Sequence, residues 1–108
     1  MNFGERVDLV LRSLPAELRE AIRNVEISVE EKHPDDPDLF GLYEGIPLTE
    51  RTSDYAGVLP DRITIYRLAI CAVCQTEREV VEEVRRTVVH EVGHHFGIDD
   101  ARLTELGW

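Results

Sequence analysis

The chain has 108 residues, 43% hydrophobic and 31% charged, which is the make-up of one globular domain with a modest core. Acidic residues outnumber Lys and Arg 22 to 12, for a net charge of -10. Such a surface repels phosphate backbones and anionic lipid, so nucleic-acid and membrane partners are not expected, whereas a divalent cation or a basic peptide would be attracted.

The N-terminal stretch MNFGERVDLVLRSL is broken by Glu5, Arg6, Asp8 and Arg12, which leaves no apolar leader and no membrane span. Two cysteines are too few for a disulfide-stapled secreted domain, and a cytoplasmic protein is expected. Val7, Val10, Leu11 and Leu14 recur at helical spacing from residue 3. Ser13 and Pro15 then punctuate, and a second short helix is expected over 16–23, with Leu18 and Ile22 inward. NVEISVEE alternates Val25, Ile27 and Val29 against polar neighbours, as a half-buried strand does.

HPDDPD (33–38) reads as a turn, and LFGLYEG (39–45) as a short strand weakened by Gly41. The polar, proline-bounded stretch 46–61 reads as a surface loop, a cleft wall or lid. RITIYRLAI (62–70), rich in β-branched residues, is expected to be one strand with Ile63 and Ile65 on one face, Thr64 and Tyr66 on the other. From Thr76, which stands at capping-box spacing from Glu79, a helix carries Val80, Val81, Val84, Val88, Val92 and Phe96 inward and stops at Gly97. No repeat interrupts the chain, and residues 1–108 read as a single domain.

That last helix ends in HEVGHHFGIDD (90–100). At about 100° per residue, His94 falls about 40° from His90, so both imidazoles leave one face and can meet one ion. Glu91 lies about 60° from His94, close enough to hold a water without ligating the ion; this is the mechanical content of H-E-x-x-H. His95 points about 100° from His94, toward the arc of Val84, Val88 and Val92, and reads as a packed or supporting histidine. A helix supplies two good ligands to a tetrahedral ion, so a third must come from beyond Gly97. Asp100 completes H-E-x-x-H-x-x-G-x-x-D; Asp99, one position short, is the competing carboxylate. With ordinary residue usage, the full pattern arises by chance in about one chain in 10⁵.

On these residues the chain resembles the zincin metallopeptidases, in the variant whose third ligand is aspartate. With LFGLYEGIPLTER and LPDRITIYR added, it resembles a family of small bacterial zincin-like zinc metallopeptidases from Leu39 onward. The resemblance implies a compact α+β zincin-like domain with N-terminal helices and a small mixed sheet whose edge strand lies over a metal-binding active-site helix. It implies Zn²⁺ held by His90, His94 and Asp100, Glu91 as the catalytic base, and a peptide or protein substrate. One departure is plain: the only methionine is Met1, so the methionine turn that floors the site in many larger zincins is missing.

Two imidazoles and a carboxylate leave a coordination position for water, whose proton Glu91 would take. Zincins present an edge strand to an extended peptide, and the strand 62–70 is the candidate here. Tyr43, Tyr55 and Tyr66 are equal candidates for stabilising an oxyanion. CAVC (71–74) stands between strand and helix, where a thioredoxin-like redox site would, but the surrounding βαβ pattern is absent and incidental thiols are expected. Three readings follow: a zinc peptidase, a zincin-shaped metal-binding module with little turnover, and a redox protein built on CAVC.

Overall fold

The computed structural model describes residues 2–45 and 61–106. Two helices come first, α1 (Phe3–Ser13) and α2 (Ala16–Ala21), then β1 (Val25–Glu30), β2 (Gly41–Glu44) and β3 (Asp61–Tyr66). α3 (Arg67–Val73), α4 (Glu77–His95) and α5 (Asp100–Leu106) complete the chain. The sheet has the order β1-β3-β2, with β1 parallel and β2 antiparallel to β3. The architecture is the expected α+β arrangement with a small mixed sheet. Among the described residues, no helix is long and apolar enough to cross a membrane.

Helical periodicity was a sound guide. Asn2 caps α1 through the Glu5 N–H, and Phe3, Val7, Val10 and Leu14 are buried. Ile22 is buried just past α2, and Leu18 packs beside it at the edge of the core. In α4, Thr76 accepts from the Glu79 N–H, while the Glu79 carboxylate accepts from Gln75 N–H rather than from the cap itself. Val80, Val84, Val88 and Val92 then form the buried stripe of α4, with Val81 and Phe96 half-buried at its margin. This stripe packs on the sheet face that carries Ile63 and Ile65, and Arg6 of α1 pairs with Glu77 at the start of α4.

Two expectations are corrected. The strand from 62 to 70 stops at Tyr66, and Arg67–Ile70 is helical. A short apolar run does not distinguish strand from buried helix, and Arg67, Leu68 and Ala69 all favour helix. Ala69 and Ile70 are adjacent and both buried, which a strand with one solvated face would not allow. The same strand is central rather than an edge, since it pairs with both neighbours; its Ile63, Thr64, Ile65 and Tyr66 are all buried. Among the described residues, β2 is the edge strand that runs beside α4. Of the expected surface loop 46–61, residues 46–60 lie outside the described residues, and Asp61 opens β3 instead.

CAVC is the end of α3: Cys71 lies within the helix and Cys74 caps it, both as half-buried free thiols. Burial pushes the Cys74 thiol up, and the carboxylates of Glu83 and Glu79 add to the effect, as does Cys71. That is the opposite of an activated cysteine. At the other end of the site helix, Leu103 of α5 is fully buried under the α4 backbone at Gly93, where a Cβ would overlap Leu103 Cδ2 and stand 3.3 Å from its Cγ.

Two measurements test these points. Iodoacetamide at neutral pH should alkylate Cys74 more slowly in the folded protein than in the urea-unfolded chain, read by peptide mass spectrometry; equal or faster labelling would contradict a buried, unactivated thiol. Gly93→Ala should cost about 1–3 kcal/mol of stability through overpacking, seen as a lower thermal midpoint; an unchanged midpoint would mean that α5 does not dock on Gly93.

Candidate metal centre

α4 brings His90 and His94 to one face, with ring centroids 4.9 Å apart and planes at 85°. The donor atoms of His90, Glu91 and His94 lie within 4.8 Å of one another. The helix then ends in a Schellman motif. Ile98 N–H donates to Gly93 C=O at 3.0 Å and Gly97 N–H to His94 C=O at 2.9 Å, with Gly97 at φ 83°. A side chain at that φ is strained, which is why glycine stands there. The reversal has two results. Ile98 C=O comes to 3.0 Å from His94 Nδ1, so that nitrogen donates, and Nε2 is the atom turned toward Asp100. It also starts α5 beside α4.

The two competing carboxylates separate cleanly. Asp99 Oδ1 accepts from Arg102 N–H at 2.9 Å, and its C=O accepts from Leu103 N–H; Asp99 is the N-cap of α5. Asp100 Oδ1 instead stands 3.0 Å from His90 Nε2 and 3.1 Å from His94 Nε2. Zinc ligands at 2.0–2.2 Å in tetrahedral array are about 3.3 Å apart, close to the two separations of Asp100 Oδ1 from the imidazoles. Asp100 is 78% exposed, so the centre opens on its side.

Glu91 differs from its neighbours. It is 7% exposed, and burial pushes its carboxyl above the usual glutamate range. His94 and His90 pull it back, as does a hydrogen bond from the Tyr43 backbone N–H; Asp100 pushes it up again. That hydrogen bond follows from the sheet. Tyr66 N–H donates to Phe40 C=O at 2.8 Å, so Phe40, Leu42 and Glu44 turn their amides to β3, while Gly41 and Tyr43 turn theirs to the opposite side of β2.

His95 is packed, as its angle on the helix implied. Its Nδ1–H donates to Asp61 Oδ2 at 2.9 Å, and Tyr43 OH donates to the same oxygen at 2.7 Å. Tyr43 OH is thus engaged with Asp61 and stands 3.4 Å from His95 Nδ1. Tyr66 is buried on the other side of the sheet, edge-on to His33, with its phenol pushed up by burial and by Glu30 and Glu44; Tyr55 lies outside the described residues. Sequence reasoning missed Asp61 and the Tyr43 amide. Asp61 could have been found, because it shares the phase of Ile63 and Ile65 and so had to face the core.

A cavity of about 560 Å³ joins β2 to this centre, lined by Leu39, Gly41, Tyr43, His90, Glu91 and Asp100 among others. A second, of about 490 Å³, shares Leu39, Gly41, His90 and Glu91 and continues past Phe40 toward Glu83 and Arg86. Among the described residues, the two together make a groove along the outer side of β2 that passes Glu91.

No curated protein matches the sequence. Among solved structures, a conserved hypothetical protein from T. thermophilus is similar, with a TM-score of 0.57 and 23% identity over 88% of this chain and 91% of that one. At that identity the likeness speaks to the fold alone. The zincin-like metallopeptidase family matches residues 22–108, from the end of α2 through the metal centre. The chain belongs to the zincin-like metallopeptidase family.

Proposed function

We propose that this protein is a zinc-dependent peptidase in which His90, His94 and Asp100 hold the ion and Glu91 is the general base. One observation carries the reading: Asp100 Oδ1 stands within 3.1 Å of both imidazole nitrogens, with a buried glutamate alongside. Zinc bound there would supply Lewis acidity, lowering the pKa of water and polarising a peptide carbonyl.

The remaining work belongs to the chain. Glu91, held by the Tyr43 amide and raised by burial, is suited to take a proton from water and return it to a leaving nitrogen. The outer side of β2 carries the amide and carbonyl of Gly41, which suit an extended peptide added as a further strand. Among the described residues the groove runs past Glu91 in both directions, which favours cleavage within a chain over trimming from an end.

Metal analysis of the purified chain should find one zinc, lost when His90 and His94 are both replaced by alanine. Asp100→Asn should weaken zinc beyond the roughly 10–100-fold that loss of an outer hydrogen-bond partner costs. Asp99→Asn should leave affinity near wild type, and equal losses at 99 and 100 would refute the ligand assignment.

Glu91→Gln should retain zinc yet reduce hydrolysis of a broad peptide library by about 10²-fold or more. Zinc-loaded wild type that cleaves nothing in that library would overturn the peptidase reading and leave a metal-binding module.

A further inference from the structure

We propose that Asp61 and His95 are positioning residues that act on the base Glu91 through Tyr43. The inference rests on the reading of Glu91 given above. Tyr43 works at both ends: its backbone N–H holds the Glu91 carboxylate, and its hydroxyl donates to Asp61 Oδ2 at 2.7 Å. His95 Nδ1–H meets the same oxygen at 2.9 Å. One carboxylate oxygen therefore ties the start of β3, the edge strand β2 and the last residue of α4.

Burial gives this cluster its force. Asp61 is 3% exposed and His95 4%, so neither is screened by water. The pairing of β2 with β3 sets its place in the sheet but does not fix its distance from α4. The cluster supplies that second restraint, next to Tyr43. The end of β2 is shaped for it: a Cβ at Gly45 would stand 2.6 Å from Asp61 Cγ, so only glycine lets the strand close over the aspartate. The rings of Tyr43 and His95 also meet edge to face, with centroids 5.7 Å apart.

A core-filling role and a positioning role differ in what they protect. Leu42 N–H points to β3 and Tyr43 N–H to Glu91, so the two amides report the two restraints separately. The test is hydrogen exchange on the full metal-free chain by NMR. Asp61→Asn and His95→Gln should each speed exchange at the residue 43 amide by about tenfold, with Leu42 within about twofold of wild type. Glu91→Ala should expose the same amide. Equal acceleration at 42 and 43, or none at 43, overturns the proposal. If both polar variants fail to fold by circular dichroism, Tyr43→Phe, which removes only the hydroxyl, decides by the same comparison.

In the zinc-loaded protein the same variants should lower kcat about tenfold or more, with KM and zinc affinity within about twofold of wild type. Unchanged kcat in an active enzyme overturns the proposal. Wild type without hydrolysis sinks the peptidase reading instead, and the amide exchange still decides whether Asp61 and His95 hold the edge strand to Glu91.

Discussion

One carboxylate oxygen stands between two imidazoles, 3.0 Å from His90 Nε2 and 3.1 Å from His94 Nε2. His94 donates its Nδ1–H to Ile98 C=O, which turns its other nitrogen toward Asp100. His90 faces the same oxygen. Every other feature of the site serves this juxtaposition: the helix that spaces the rings one turn apart, the glycine that reverses the chain, and the cap that leaves Asp99 occupied and Asp100 free to turn inward. The acidity of the whole chain works in the same direction, since a net charge of -10 draws a cation toward it.

The second constraint is the alternation of a β-strand. Because β2 pairs with β3 through Phe40, Leu42 and Glu44, the amides of Gly41 and Tyr43 point away from β3. That of Tyr43 is used on Glu91, and Gly41 lines the groove. A carboxylate is thereby held by the row of groups proposed above to receive a peptide, so on that proposal Glu91 and the backbone of a bound chain share one reference frame.

Much of this was legible in the sequence, and the limits have physical causes. Periodicity and capping gave α1 and α4 to within a residue or two, because valines at 80, 84, 88 and 92 admit only one face. The spacing that brings His90, His94 and Asp100 together and the helix stop at Gly97 were readable because they are local, closed by bonds between residues a few positions apart. His95 was legible as packed from its angle alone, but its partner was not, since Asp61 is 34 residues away. The edge assignment failed for a related reason: strand order is a long-range property, and residues 62–66 look alike in a central and an edge strand. Arg67–Ile70 misled because β-branched content was allowed to outweigh the helix formers among them.

α5 has seven residues, too few to hold helical form by its own hydrogen bonds. Its shape is borrowed from one leucine seated under Gly93 and from the Asp99 cap. Asp100 therefore rides on a segment whose order is conditional, and an ion held by the ligand set proposed above would also fasten α5 to α4. On that proposal, occupancy of the centre and order of α5 become two readings of one equilibrium, and a chelator would act as a local denaturant.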